Sequence, residues 1–131
     1  MKKAALLAAV LMMLSGCGSD NPTDPLAQFE PQVANATDSF QLQATDVTDV
    51  QTILQYSWEN TGTQASVDHS TTTAAGVAGL VIKDGNGAIV YEQGLAPSLN
   101  EDTSSGSTGT WTIVMALSEY SGTLNFRVQK K

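Results

Sequence analysis

His69 is the sole histidine; it follows Asp68 and precedes Ser70, Thr71, Thr72 and Thr73. A carboxylate, an imidazole and hydroxyls are the ingredients of nucleophilic hydrolysis, in which the imidazole bonds both a nucleophile and an orienting carboxylate. Neighbours along a strand point to opposite faces, so Asp68 is badly placed to orient His69. The expectation is a histidine satisfied by a neighbouring group, not a catalytic base. Zinc needs three or four His, Cys or carboxylate ligands, and a chain with one histidine and one cysteine, Cys17, lacks that set. Asp84-Gly85-Asn86-Gly87 alternates side-chain oxygens as calcium loops do. A twelve-residue calcium loop then wants an oxygen ligand fifth, glycine sixth and glutamate twelfth, where Ala88, Ile89 and Leu95 stand. Gly and Asn tolerate positive φ, so a plain hairpin turn is expected there. Glu101-Asp102, in the polar stretch 94–109, offer two more carboxylates to a binding surface or to solvent. Trp58 and Trp111, with Tyr56, Tyr91 and Tyr120, are the residues a glycan-binding surface would use for stacking. Both tryptophans fall in phase with aliphatic residues and belong in a core, whereas Tyr120, beside a turn, is the freer aromatic. No catalytic residue, metal or cofactor is expected; Tyr120, Glu101 and Asp102 are the binding candidates.

The other nucleophile is the Cys17 thiol. Leu14-Ser15-Gly16-Cys17 closes an uncharged apolar run, residues 4–14, behind Lys2 and Lys3. That run has 11 residues, whereas a helix crossing hydrocarbon needs about 20. A positive n-region, a short apolar core and small residues before a cleavage point make a signal segment. The pattern resembles the lipobox of bacterial lipoprotein precursors. The resemblance implies cleavage before Cys17, a diacylglyceryl group on its sulfur and an extracytoplasmic location. One acyl chain holds a protein marginally and several hold it stably. Gly18 and Ser19 stand where an aspartate commonly signals inner-membrane retention, so the implied address in a Gram-negative envelope is the outer membrane.

Cleavage there leaves residues 17–131, suited to one domain. Lys2 and Lys3 go with the signal, which leaves four basic residues against 13 acidic ones and a formal charge of −9. Such a surface repels nucleic acid and anionic headgroups, so no nucleic-acid partner is expected. With Cys17 lipidated, no disulfide forms within the chain and the core alone must hold the domain. Residues 18–35 show no apolar period and contain Pro22, Pro25 and Pro31, which reads as a tether, the alternative being that Leu26 and Phe29 dock on the domain. The resulting division is a signal peptide over 1–16, lipidated cysteine and tether over 17–37, and a folded domain over 38–131.

That domain must supply the elements that position the residues above, and its apolar residues recur with period two. Phe40, Leu42 and Ala44 share a face; Leu54, Tyr56 and Trp58 form a second strand ending at the turn Asn60-Thr61-Gly62; Ala65, Val67 and His69 form a third. Residues 77–82 are apolar on both faces, as in a strand covered on both sides. Residues 88–92 return beyond Asp84-Gly85-Asn86-Gly87. Trp111, Ile113, Met115 and Leu117 precede a turn at Tyr120-Ser121-Gly122, and Leu124, Phe126 and Val128 close the chain. This predicts an all-β fold, a small antiparallel β-sandwich, jelly-roll or immunoglobulin-like, of about seven to eight strands. Leu80, Ile82, Trp111, Ile113, Leu124 and Phe126 are its expected core.

Over residues 54–129, the strings Leu80-Val81-Ile82-Lys83-Asp84-Gly85-Asn86-Gly87-Ala88-Ile89-Val90-Tyr91, Gly109-Thr110-Trp111-Thr112-Ile113-Val114 and Ser121-Gly122-Thr123-Leu124-Asn125-Phe126-Arg127-Val128 are similar to the pre-peptidase C-terminal family. Its members are small jelly-roll-like sandwiches of secreted bacterial proteins, usually appended to a catalytic domain. The resemblance implies the sandwich; the chain is expected to carry it without a catalytic neighbour. The functional expectation is a lipid-anchored envelope protein with a non-catalytic binding or structural role, its partner an envelope protein or a glycan. The competing classes are a glycan-binding module using exposed aromatics and a hydrolase whose site the sequence does not reveal. Loops at the ends of a sandwich commonly carry recognition, which singles out 94–109 and 60–64.

Overall fold

The computed structural model of the chain describes residues 25–131; the signal segment 1–16, Cys17 and residues 18–24 of the tether lie outside the described residues. Seven strands follow one 3-10 turn, Ala27–Phe29: β1 Gln32–Ala36, β2 Ser39–Asn60, β3 Ala65–His69, β4 Thr72–Lys83, β5 Ile89–Gly94, β6 Leu99–Asp102 and β7 Gly109–Lys130. All pair antiparallel in one sheet ordered β1-β2-β7-β3-β6, with β4 joined to both β7 and β5. The fold is a small, all-β, sandwich-like domain.

One sheet makes a sandwich because its two longest strands are creased. Phe40, Leu42 and Ala44 point inward with period two, after which Val47 and Val50 do so with period three. The additional residues are Asp46 and Asp49, left-handed at φ 55° and 52°, a conformation that aspartate tolerates better than most residues. The β2–β7 register shifts at the same places, and β7 carries Glu119 at φ 45° opposite them. β4 shifts register against β7 beside Gly76, at φ 77°. Bulges aligned across three strands bend and twist the sheet locally. As a result the two ends of β2 meet: the Asp38 amide donates to the Glu59 carbonyl at 2.8 Å, and Trp58 Nε1 donates to the Ala36 carbonyl at 3.0 Å.

The core lies between the halves. Phe40, Leu42, Leu124, Phe126 and Val128 come from one side of the crease and Trp58, Leu80, Ile82, Trp111, Ile113 and Met115 from the other, all buried. Every residue of the expected core is among them. Trp58 and Trp111 face each other in register, with ring centroids 5.9 Å apart and planes at 89°, an edge-to-face contact.

Three expectations need correction. The end of the segment assigned as tether is folded: Leu26 is fully buried and β1 pairs with β2. All five residues of β1 are exposed, so the strand is held by backbone hydrogen bonds at an edge and leaves no apolar period to read. The strand at 77–82 is covered on one side only, since Val77 is 65% exposed and Val81 half-buried. The polar stretch 94–109 contains β6 and the buried residues Leu95 and Thr103, and is therefore built into the sheet.

Candidate functional site

His69 lies on β3 in phase with Ala65 and Val67, and that alternation turns its ring into the interior, where it is 1% exposed. Its Nδ1 is 3.1 Å from the Pro97 carbonyl oxygen and its Nε2 is 2.8 Å from the Tyr91 hydroxyl. That hydroxyl donates to Glu101 Oε1 at 3.1 Å. The chain of contacts therefore joins β3, β5, β6 and the segment between β5 and β6. Burial, and then the bond to the Glu101 carboxylate, push the Tyr91 hydroxyl well above the ordinary tyrosine range, so it stays protonated. Asp68 is exposed on the other face, as the strand geometry requires. With Pro97 and Tyr91 on its two nitrogens, the imidazole is committed to the fold. Tyr91 is the member of this group that no sequence spacing signals, since it lies 22 residues from His69 and 10 from Glu101.

The binding candidates are placed as follows. Tyr120 is not free but fully buried, which corrects the expectation. Gly122, whose backbone φ is 149°, is part of a bulge within β7 and not a chain reversal, so Tyr120 keeps an inward phase. Its hydroxyl donates to the Thr72 carbonyl at 3.2 Å, and burial raises its pKa. Glu101 is half-buried and engaged with Tyr91. Asp102 is exposed, pairs with Lys131 Nζ at 2.6 Å and accepts from Ser66 Oγ at 3.1 Å; these, the lysine first, hold its carboxyl below the usual range. The two carboxylates are adjacent in sequence but point to opposite faces of β6. Among the described residues no cluster of three or more His, Cys, Asp or Glu side chains suited to a metal occurs.

Asp84 is buried and does not present its oxygens to a cation. Oδ1 accepts from the Asn86 and Ala88 amides, each at 2.9 Å, and Oδ2 from the Ser107 amide at 2.8 Å. These donors, Ser107 first, hold the carboxyl below the ordinary aspartate value. The hairpin is thereby stapled to 103–108, which is also tied by Gly106 N–H to the Thr63 carbonyl and by Trp111 Nε1 to the Ser107 carbonyl. Asp38 makes a second staple: it accepts from the Thr61 amide and hydroxyl and pairs with Lys130 at 3.4 Å. The loops at this end of the sandwich thus form one interlocked cap.

On the outer surface, Gly79, Val81, Val114, Ala116 and Gly94 floor a groove of about 470 Å³, with Ile53 exposed opposite Ala116.

No family model matches the chain, and none of the curated proteins does. Among solved structures it is similar to a chain of the accessory secretory protein 1, 2 and 3 crystal structure from Streptococcus pneumoniae, at 9% identity and TM-score 0.38 over 79% of this chain and 87% of that one. It is also similar to a chain of the infectious bursal disease virus Gt strain structure, at 14% identity and TM-score 0.32 over 89% of this chain and 32% of that one.

Proposed function

We propose that this protein is a lipid-anchored component of a bacterial cell envelope whose β-sandwich serves a binding or structural role and not a catalytic one. The observation that carries the reading is Leu14-Ser15-Gly16-Cys17, behind two lysines and an 11-residue apolar run, placed just ahead of a folded domain whose first buried residue is Leu26. Eight residues, 18–25, lie between Cys17 and Leu26, a span of at most about 32 Å. An acylated Cys17 would therefore hold the domain close to the headgroups, with its interlocked cap as a rigid surface. The non-catalytic part is supported by how the polar groups are used: both nitrogens of His69 and both oxygens of Asp84 are engaged by the fold itself. Of the aromatics that could stack on a sugar, Trp58, Trp111, Tyr91 and Tyr120 are buried, and Tyr56 is half-buried with its ring against Phe40.

The test is Cys17→Ser expressed in a Gram-negative host with radiolabelled palmitate. The native chain is expected to take up label and fractionate with membranes, and the variant to lose both while keeping a β-rich circular dichroism spectrum. Label that persists in the variant removes the proposal.

A further inference from the structure

The contacts around His69 require a definite number of protons. A carbonyl oxygen only accepts, so the Pro97 contact needs a hydrogen on Nδ1. The Tyr91 hydroxyl owns one hydrogen, and while it is given to Glu101 the 2.8 Å contact to Nε2 needs a second imidazole hydrogen. If Tyr91 instead gives its hydrogen to Nε2, Glu101 must be the protonated partner that donates to the hydroxyl oxygen. Both arrangements contain one proton more than a neutral imidazole beside a carboxylate. Without it, one of the three contacts has no hydrogen in it.

We propose that His69, Tyr91 and Glu101 form a proton-operated latch, in which one shared proton fastens β6 and the Pro97 segment over the core and its loss as pH rises releases them. The surroundings isolate the titrating pair. From β5 the ring meets Tyr91; across the ladder stand Leu99 of β6 and Phe126 of β7, neither of them titratable. Asp68 stands opposite Asn100 and Arg127 on the exposed face. Glu101 lies opposite Val67, an inward position, where a charged side chain also guards an edge strand against further pairing. Once its donor is gone, this half-buried carboxylate must turn to water. β6 has four residues and one neighbouring strand; its other ties are the Asp102 contacts with Lys131 and Ser66 and the Thr103 bonds to Ala65, so the latch is one tie among several and its release loosens the strand. Tyr91 does not titrate in the same range, because burial and Glu101 keep its hydroxyl protonated.

The test uses full-length protein labelled with 15N and 13C, in which His69 is the sole source of imidazole signals. From about pH 5 to about pH 8 the ring nitrogens and the amide exchange of β6 are followed together. At the acid end both nitrogens are expected to carry hydrogen, or one nitrogen alone with Glu101 protonated by its carboxyl carbon shift. As that proton leaves, β6 exchange, corrected for base catalysis, should speed by about tenfold, while the Phe126 amide does not change. Glu101→Gln should move proton loss from the ring to lower pH and abolish the pH dependence of β6 exchange. A latch with no extra proton anywhere in the interval overturns the proposal. So does β6 exchange that ignores the titration, or a ring titration unmoved by Glu101→Gln.

Discussion

The rings of Phe40 and Tyr56 lie 5.2 Å apart, centroid to centroid, although both belong to β2. A straight strand would hold residues sixteen positions apart about 53 Å from each other. The contact exists because the strand folds over its own crease at Val47 and Val50, so that one element lines both sides of the core it closes.

The crease depends on backbone that only glycine supplies freely. At Gly76, φ is 77° and a Cβ would come within 2.1 Å of the Glu119 carbonyl oxygen. Gly76→Ala should therefore destabilise the domain by about 1–3 kcal/mol, measured by urea denaturation. An unchanged midpoint would mean that the bulge relaxes without cost.

The core between the halves should behave as one unit. Trp111→Ala and Phe126→Ala remove fully or nearly fully buried rings from opposite sides of the crease. Each should cost about 3–5 kcal/mol, and thermal unfolding of both variants reads this directly.

Asp84 gives a pH dependence of known sign. Its folded-state pKa lies below the ordinary aspartate value, so its contribution is complete above that value and is lost as pH falls through the lower, folded one. Asp84→Asn should lower the urea midpoint at neutral pH, and the gap from the native protein should narrow as pH drops below about 4. A gap that stays constant with pH would show that the carboxylate charge is not what the staple uses.

Replacing 101–107 by a Gly-Ser linker tests whether that stretch is structural. It removes the Thr103 amide bond to Ala65, the Thr103 hydroxyl bond from Ala65, and the Ser107 bonds to Asp84 and Trp111. Stability should fall by more than about 2 kcal/mol. A near-native unfolding curve would restore the status of a solvated connector.

What could be read from the residues was the inward face of each strand. Phe40-x-Leu42-x-Ala44 and Trp111-x-Ile113-x-Met115 alternate over enough positions for the hydrophobic period to speak, and it also turned His69 inward and Asp68 outward. Continuity could not be read in the same way. Asp46 and Asp49 interrupt the period, and Tyr120-Ser121-Gly122 has the composition of a turn, yet in each place the chain stays in the sheet because neighbouring strands pair with it on either side of the bulge. That is why Tyr120 was expected outside and is found inside. β1 was missed for a different reason: Gln32, Val33, Ala34, Asn35 and Ala36 bury nothing, and edge pairing through the backbone has no side-chain signature. The partnership of His69 with Tyr91 and Glu101 needs three strands brought together, which no local pattern encodes.

β7, the last strand in chain order, is hydrogen-bonded to β2, β3 and β4. Each of the three has another partner that precedes β7, namely β1, β6 and β5, but the ladder that joins all of them forms only when β7 is present, since their common partner comes last of the seven strands. Pairings that close such long loops are slow to form, on the millisecond-to-second scale. The core between the two halves therefore closes late, once the strand that both halves share is in place.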